Sequence, residues 1–303
     1  MPGEVFYWLF NMSIIGSVMG LVVLLVRRLR IPRRVTVWLW LVPYIRFCVP
    51  LGLNSRYSLM TLLSKLTTRT VTVWQPMEGL SFSVTNSIMA ANGYFPITYK
   101  VNMLEGLFNT AGTIWAVIAL AVLIALGILY LTTMGEIRRA RRIDEGVYVS
   151  ERVDSPAVYG VLRPRIVLPE GFDESGLEYV LLHERTHIKY ADNLWRLLAF
   201  AVTALHWFNP LAWLFLKKTL EDIELACDER AIRRLDASAR KGYAMALLGY
   251  SQSKSVFASA FGGAKLRTRV ENVLSYKRMT WASALAFIAL AAAIGITLLT
   301  NSG

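Results

Sequence analysis

His183, Glu184 and His187 have the types and the spacing to do metal chemistry. Residues four apart on an α-helix lie on one face, about a turn apart, so two imidazoles so placed can grip one cation. With a glutamate next to the first histidine the pattern is HExxH, in which the histidines hold Zn2+ and the glutamate draws a proton from water. The bland alternative is a surface helix that happens to carry two histidines. The chain has 3 histidines in all, and two of them fall here.

A catalytic zinc site needs a third protein ligand and one position left open for water. Ser175 as N-cap with Glu178 three residues on predicts a helix start, and a helix from residue 176 puts Val180, His183 and His187 on one face, with Arg185 and Lys189 elsewhere. Residues 197–216 are free of charge, but His206, Trp207, Phe208, Asn209 and Pro210 interrupt them. If this run crossed a membrane, any later ligand would lie opposite the histidines. It therefore reads as a hairpin of two short apolar helices, buried or dipping into the inner membrane interface. The next helix, residues 213–235, carries an apolar stripe of Leu216, Leu220, Ile223, Cys227 and Ala231, with Glu224 and Asp228 beside it. A partly buried carboxylate needs a compensating charge, and Zn2+ is one. Glu224 is thus the candidate third ligand, and Asp228 the candidate acceptor for the Nδ1–H of a zinc histidine. A solvated charged face shared with Glu221, Asp222 and Glu229 is equally open. Cys227 reads as a small buried hydrophobe. Zn2+ held in this way lowers the pKa of a bound water towards ~7 and polarises a carbonyl. Glu184 then takes the water's proton and delivers it to the leaving amine. For the oxyanion or other substrate contacts the candidates are His206 and Tyr243, although His206 reads more simply as an interface residue satisfied by backbone.

Of the 303 residues 55% are hydrophobic and 18% charged, which excludes an ordinary soluble domain and points to a membrane protein with a moderate soluble part. A net charge of +12 raises nucleic acid as a partner, but the arginines cluster beside apolar runs, where they mark topology and anionic lipid instead. Two cysteines, Cys48 and Cys227, imply no disulfide framework. Transmembrane helices are expected at residues 5–26, 35–53, 109–132 and 281–300. Arginines follow the first run rather than precede it, so it reads as a retained helix and not a cleaved signal peptide. Arg27, Arg28, Arg30, Arg33 and Arg34, and then Arg138, Arg139, Arg141 and Arg142, place both clusters in the cytoplasm and both termini outside. Arg46 within the second run should face a neighbouring helix or snorkel. The expected organisation is a membrane region over 1–132 with an extracellular loop at 54–107, a cytoplasmic domain over 133–280, and a last span with a short tail over 281–303. Within the cytoplasmic part, residues 147–149 and 157–168 have strand composition, punctuated by Ser155-Pro156, Gly160 and Arg163-Pro164.

These residues resemble the membrane metallopeptidases of the BlaR1/MecR1 type, peptidase family M56. The likeness rests on Ser155-Pro156 through Gly160 to Pro164–Pro169, on His183 to His187, on His206 to Pro210, and on Glu224 to Asp228. It implies an α-helical membrane protein with four transmembrane helices and a cytoplasmic α+β gluzincin-like zinc metallopeptidase domain. In that domain His183, His187 and Glu224 bind Zn2+ and Glu184 is catalytic. It also implies that the bacterial plasma membrane holds the chain and that a cytoplasmic repressor protein is cleaved in response to an envelope signal. Self-cleavage is expected between 251 and 263, near Ser259, Ala260 and Phe261. Relatives of the best-known kind carry a penicillin-binding sensor after the fourth span, and the 303 residues stop before one. The signal is then expected from the 54–107 loop, from a separate sensor partner, or from a sensor beyond this sequence. Further expectations are contact with membrane lipid, a homodimer and no direct nucleic acid contact. A membrane zinc protease of protein quality control and a non-proteolytic zinc-containing transducer are the rival readings. A structural site has no use for a base at Glu184, which argues against the transducer.

Overall fold

The computed structural model describes residues 2–29, 31–49, 54–55, 102–172, 176–250, 264–276 and, near the C-terminus, 287, 289, 292–293 and 301–302. The first apolar run is one continuous helix, α1 (Pro2–Val26). The expected second span is broken into α2 (Arg33–Leu39) and α3 (Leu41–Cys48), which part at Trp40. The break has a cause in this sequence: Pro43 has no N–H for the Leu39 carbonyl and its ring crowds it, so the helix is interrupted at Trp40, whose indole N–H donates to the Asp222 carboxylate at 2.9 Å. Arg46 is 1% exposed, buried in protein as the cost of a charge in lipid requires. The third run lies within a longer helix, α4 (Asn102–Ile137). Among the described residues α1 and Gly106–Gly135 of α4 are the helices long and apolar enough to cross a membrane. The last expected span lies almost wholly outside the described residues, as do most of the 54–107 loop and all of Ser259, Ala260 and Phe261.

Four short strands follow α4: β1 (Arg141–Asp144), β2 (Val147–Ser150), β3 (Ala157–Tyr159) and β4 (Arg165–Pro169). Their order in the sheet is β1-β2-β4-β3, with β2 and β4 parallel and both edge strands antiparallel to their neighbours. The turn between β3 and β4 needs a glycine. Gly160 has φ +90°, and a Cβ there would stand 2.9 Å from the Arg163 carbonyl oxygen. The inner face of the sheet presents Val147, Ile166 and Leu168 to Val180 of the next helix, α5 (Leu177–Lys189). That helix does not start on the expected Ser175–Glu178 box. Gly176, at φ +84°, enters it from the left-handed region with no side-chain cap, and Ser175 lies outside the described residues.

Beyond α5 the chain turns at Ala191 into α6 (Asp192–Leu205), passes a tip at residues 206–209, and returns as α7 (Pro210–Ala231). Asn209 caps α7, its side-chain oxygen accepting from the Leu211 N–H at 2.9 Å, with Pro210 in the first turn where its missing N–H costs nothing. The expected hairpin is present and reaches far along α1. Asp222 in α7 meets Arg27 just past the end of α1, while the Asn209 amide donates to Ser13 at 2.7 Å and Ser17 at 2.8 Å near its middle. At 1.5 Å per residue α7 runs back along α1 for about 20 Å. Gly20 lets the Phe215 ring of α7 sit against the α1 backbone, and Gly16 does the same for Phe47 of α3. Helices α8 (Ala237–Tyr250) and α9 (Leu266–Leu274) close the other flank of α7 through Ile232, Tyr243, Leu247 and Val273.

Candidate metal centre

The sheet sets the orientation of α5. Val180, Leu177, Leu181 and Ile188 pack on the strands, so the face with His183, Glu184 and His187 turns inward to α7, while Arg185 and Lys189 are exposed. The two imidazoles meet edge to face, their Nε2 atoms 3.1 Å apart. Each ring is fixed by its other nitrogen. His187 Nδ1 donates to Asp192 at 2.6 Å. His183 Nδ1 donates to the Tyr243 hydroxyl at 2.8 Å, which in turn donates to Asp228 at 2.8 Å; Asp228 itself is 3.2 Å from that Nδ1. With both Nδ1 protons so used, both Nε2 atoms face one another as acceptors; the His183 one takes an N–H of Arg269 at 3.2 Å, and a shared proton or a cation would reconcile the pair.

Glu224 approaches the same point from α7, its two oxygens each 3.7 Å from one of the histidine Nε2 atoms. Its carboxylate also pairs with Arg196 of α6 and lies 3.4 Å from Arg269 of α9. Burial alone would raise the Glu224 pKa, but the charges of His187, Arg196 and Arg269 outweigh it and bring it to about 2. Burial acts the same way on Asp228, and the bidentate Arg269, at 2.8 Å to each oxygen, holds it well below the usual carboxylate range. Glu184 is 5% exposed and makes no hydrogen bond or ion pair among the described residues, so its carboxylate is uncommitted.

Two donor sets can hold a metal. His183, His187 and Cys227 offer ligand atoms within 4.8 Å of one another. His183, His187 and Glu224 share the Nε2 side. The Cys227 sulfur lies on the other side of the His183 ring, 3.5 Å from Nδ1, and its thiol donates to the His183 carbonyl. Burial, reinforced by Asp228, Asp192 and Glu224, pushes that thiol well above its ordinary pKa and keeps it protonated.

The structure brings together His183, Glu184, His187, Glu224 and Asp228, and places Tyr243 behind His183 rather than on the Nε2 side. It does not bring in His206. That ring, fully buried at the hairpin tip, bonds the Val202 carbonyl at 3.0 Å and packs on Phe47, because the tip is carried away along α1. The reading of Asp222 and Glu229 as a solvated face is overturned. Asp222 is fully buried under Arg27 and Trp40, and Glu229 accepts the backbone N–H groups of Arg33 and Arg34 at 2.9 and 3.1 Å. Asp192, Arg196 and Arg269 were not legible as site residues.

A family model described as BlaR1 peptidase M56 matches residues 7–275. The chain belongs to the M56 peptidase family. Among similar proteins, the regulatory protein BlaR1 of Bacillus licheniformis is 28% identical over 127 residues, 41% of this chain and 21% of the relative. The methicillin resistance mecR1 protein of Staphylococcus aureus is 32% identical over 112 residues, 35% of this chain and 19% of the relative. The match to this M56 chain thus spans about a fifth of the length of these relatives.

Proposed function

We propose that the chain is a membrane-embedded zinc metalloendopeptidase of the BlaR1/MecR1 type, which turns an envelope signal into cleavage of a cytoplasmic repressor protein. The observation that carries this is the pair of imidazoles whose Nδ1 atoms are both taken up, one directly by Asp192 and one by Tyr243 and Asp228, leaving both Nε2 atoms and Glu224 directed at one place. His183, His187 and Glu224 are the ligands; Cys227, protonated and behind the ring, is not. Zn2+ bound there supplies Lewis-acid polarisation of a peptide carbonyl and an acidified water. Glu184 takes a proton from water as the new carbon–oxygen bond forms. It passes that proton to the amide nitrogen as the carbon–nitrogen bond breaks, giving an acid and an amine and restoring Glu184.

The membrane assignment draws on the apolar α1 and α4 and on the basic residues at the end of α1. Arg27 pairs with Glu221 and Asp222 on the helix that carries Glu224, which supports a metal centre on the side of the basic cluster, the cytoplasm. Most of the α6–α7 hairpin is then re-entrant. Its non-helical tip is tolerated at that depth because Asn209 is satisfied by Ser13 and Ser17 of α1. The repressor as substrate rests on the likeness to the two relatives.

The test is zinc content together with cleavage of a panel of cytoplasmic repressors by the detergent-purified wild type and Glu184→Ala. The reading expects about one zinc in each and cleavage of one repressor by the wild type alone. It expects self-cleavage near Ser259, Ala260 and Phe261 in the wild type, with the variant intact. Equal cleavage by both proteins, or a wild type without zinc, would refute it. Broad degradation of unfolded proteins would select the quality-control reading.

A further inference from the structure

The cleavage step needs a group to receive the negative charge that grows on the scissile carbonyl oxygen, and neither Tyr243, spent on His183 and Asp228, nor His206, at the hairpin tip, is placed for it. We propose that Arg269 is that group, a catalytic residue that hydrogen-bonds the oxyanion; this rests on the protease reading above. Its guanidinium is fixed before substrate arrives. Nε and Nη2 donate to the two oxygens of Asp228 at 2.8 Å each, so the planar fork has one orientation. That orientation carries the remaining edge to the Nε2 side of the histidines. Nη2 gives its second hydrogen to His183 Nε2 at 3.2 Å, and Nη1 lies 3.4 Å from Glu224, beyond a short hydrogen bond. A permanent cation beside metal ligands needs anionic company; Asp228 and Glu224 supply it, and Nη1, which no short hydrogen bond to Glu224 takes up, is left to meet further negative charge. The Arg269 side chain is 15% exposed, so it is not sealed off within the protein. Preorganised donors aimed at developing charge are the usual source of such stabilisation.

Arg196 is the competing cation, but among the described residues its hydrogen bond goes to Glu224 alone, and its side chain is 30% exposed, so no second partner there fixes its plane. Helix α9 by contrast is anchored, with Val273 fully buried between α7 and α8.

The experiment uses the full chain with Zn2+ in detergent and two variants, Arg269→Gln and Arg269→Lys. Lysine keeps a cation against Asp228 and so preserves the fold if glutamine does not, but it lacks the two-donor fork. The expected result is a fall in kcat of about 10²–10³-fold for Arg269→Gln, with KM and zinc content near the wild type and a smaller fall for Arg269→Lys. Calorimetry supplies a readout that does not need turnover. A phosphoramidate dipeptide of leucine and tryptophan, which presents a tetrahedral anion, should lose affinity in parallel with kcat/KM, whereas acetohydroxamate, which only chelates metal, should not. The proposal is overturned if the variants keep kcat within a few-fold. It is also overturned if activity falls only in proportion to lost zinc, which would make Arg269 a support for Asp228, or if the two inhibitors weaken alike or the phosphoramidate fails to bind the wild type. A wild type that binds the phosphoramidate through Arg269 yet cuts no repressor would count against the substrate reading and not against this one.

Discussion

Asp192 is the residue whose removal most directly tests whether the two histidines form a metal site. Its carboxylate is 2% exposed and accepts from His187 Nδ1 at 2.6 Å, a charge-assisted hydrogen bond that fixes both the tautomer and the ring plane. Asp192→Ala removes the acceptor and leaves the imidazole free to turn or to move its proton to Nε2, the atom needed for the metal. Loss of such an outer partner lowers metal affinity about 10–100-fold, or about 1.4–2.7 kcal/mol. The upper end is expected here, because the site is buried and Arg230, whose side chain is 8% exposed and 3.6 Å from Asp192, loses its counter-charge at the same time. Asp192→Asn keeps an oxygen acceptor without the charge and should fall near the lower end. The assay is competition for Zn2+ against a chromophoric chelator at neutral pH, with melting temperature measured on the same samples. Zinc affinity within about twofold of the wild type in a folded Asp192→Ala would sink the argument that this carboxylate orients a ligand.

Other outcomes follow from the same structure. Ala191 has φ +53°, so Ala191→Gly should raise stability by up to about 1 kcal/mol, visible as a higher melting temperature, provided the unfolded chain does not take back the gain in entropy. Asp222→Ala strips the partner from Arg27 and from the Trp40 indole; since Arg27 keeps Glu221 at 3.0 Å, the loss should be about 2–3 kcal/mol, with a melting temperature several degrees lower. The pKa of Glu224 is depressed from 4.5 to about 2, so its contribution to stability is complete above 4.5 and is lost as pH falls towards 2. Acid melting of the metal-free protein should show that window, and Glu224→Gln should flatten it.

How much of the site was legible depended on whether its geometry is local. His183 with His187, and Glu224 with Asp228, are spaced four apart, so any helix through them sets each pair on one face. Asp192 is close to the motif in sequence, but only the left-handed turn at Ala191 returns it to His187, and alanine gives no sign of such a turn. Arg269 comes from α9, on a contact no spacing rule foresees. Asp222 and Glu229 looked like a wet face because their partners lie in the loop after α1, 195 and 196 residues away. The break in the second span, by contrast, is written in the run itself at Pro43, which a count of apolar residues passes over. Hydropathy also cannot see that the Trp40 indole at that break meets the Asp222 carboxylate. Strand β1 escaped because its residues are all exposed on a sheet edge and show no alternation.

Asp222 and Glu224 sit two positions apart on α7, about 200° around its axis. The helix is therefore a shaft gripped on one flank by the loop after α1 and carrying the proposed ligand Glu224 on the other. At a side-chain radius of about 5–6 Å, a rotation of about 10° carries the Glu224 carboxylate about 1 Å. Metal–ligand bonds tolerate deviations of about 0.2 Å, so a few degrees of twist already exceed what coordination can absorb. The torsional stiffness of this shaft, set by Arg27 on Asp222 and by the two N–H groups on Glu229, then decides whether the ligand is aligned. A small torque at residues 27–34 would misalign Glu224 before any residue of the HExxH helix had moved.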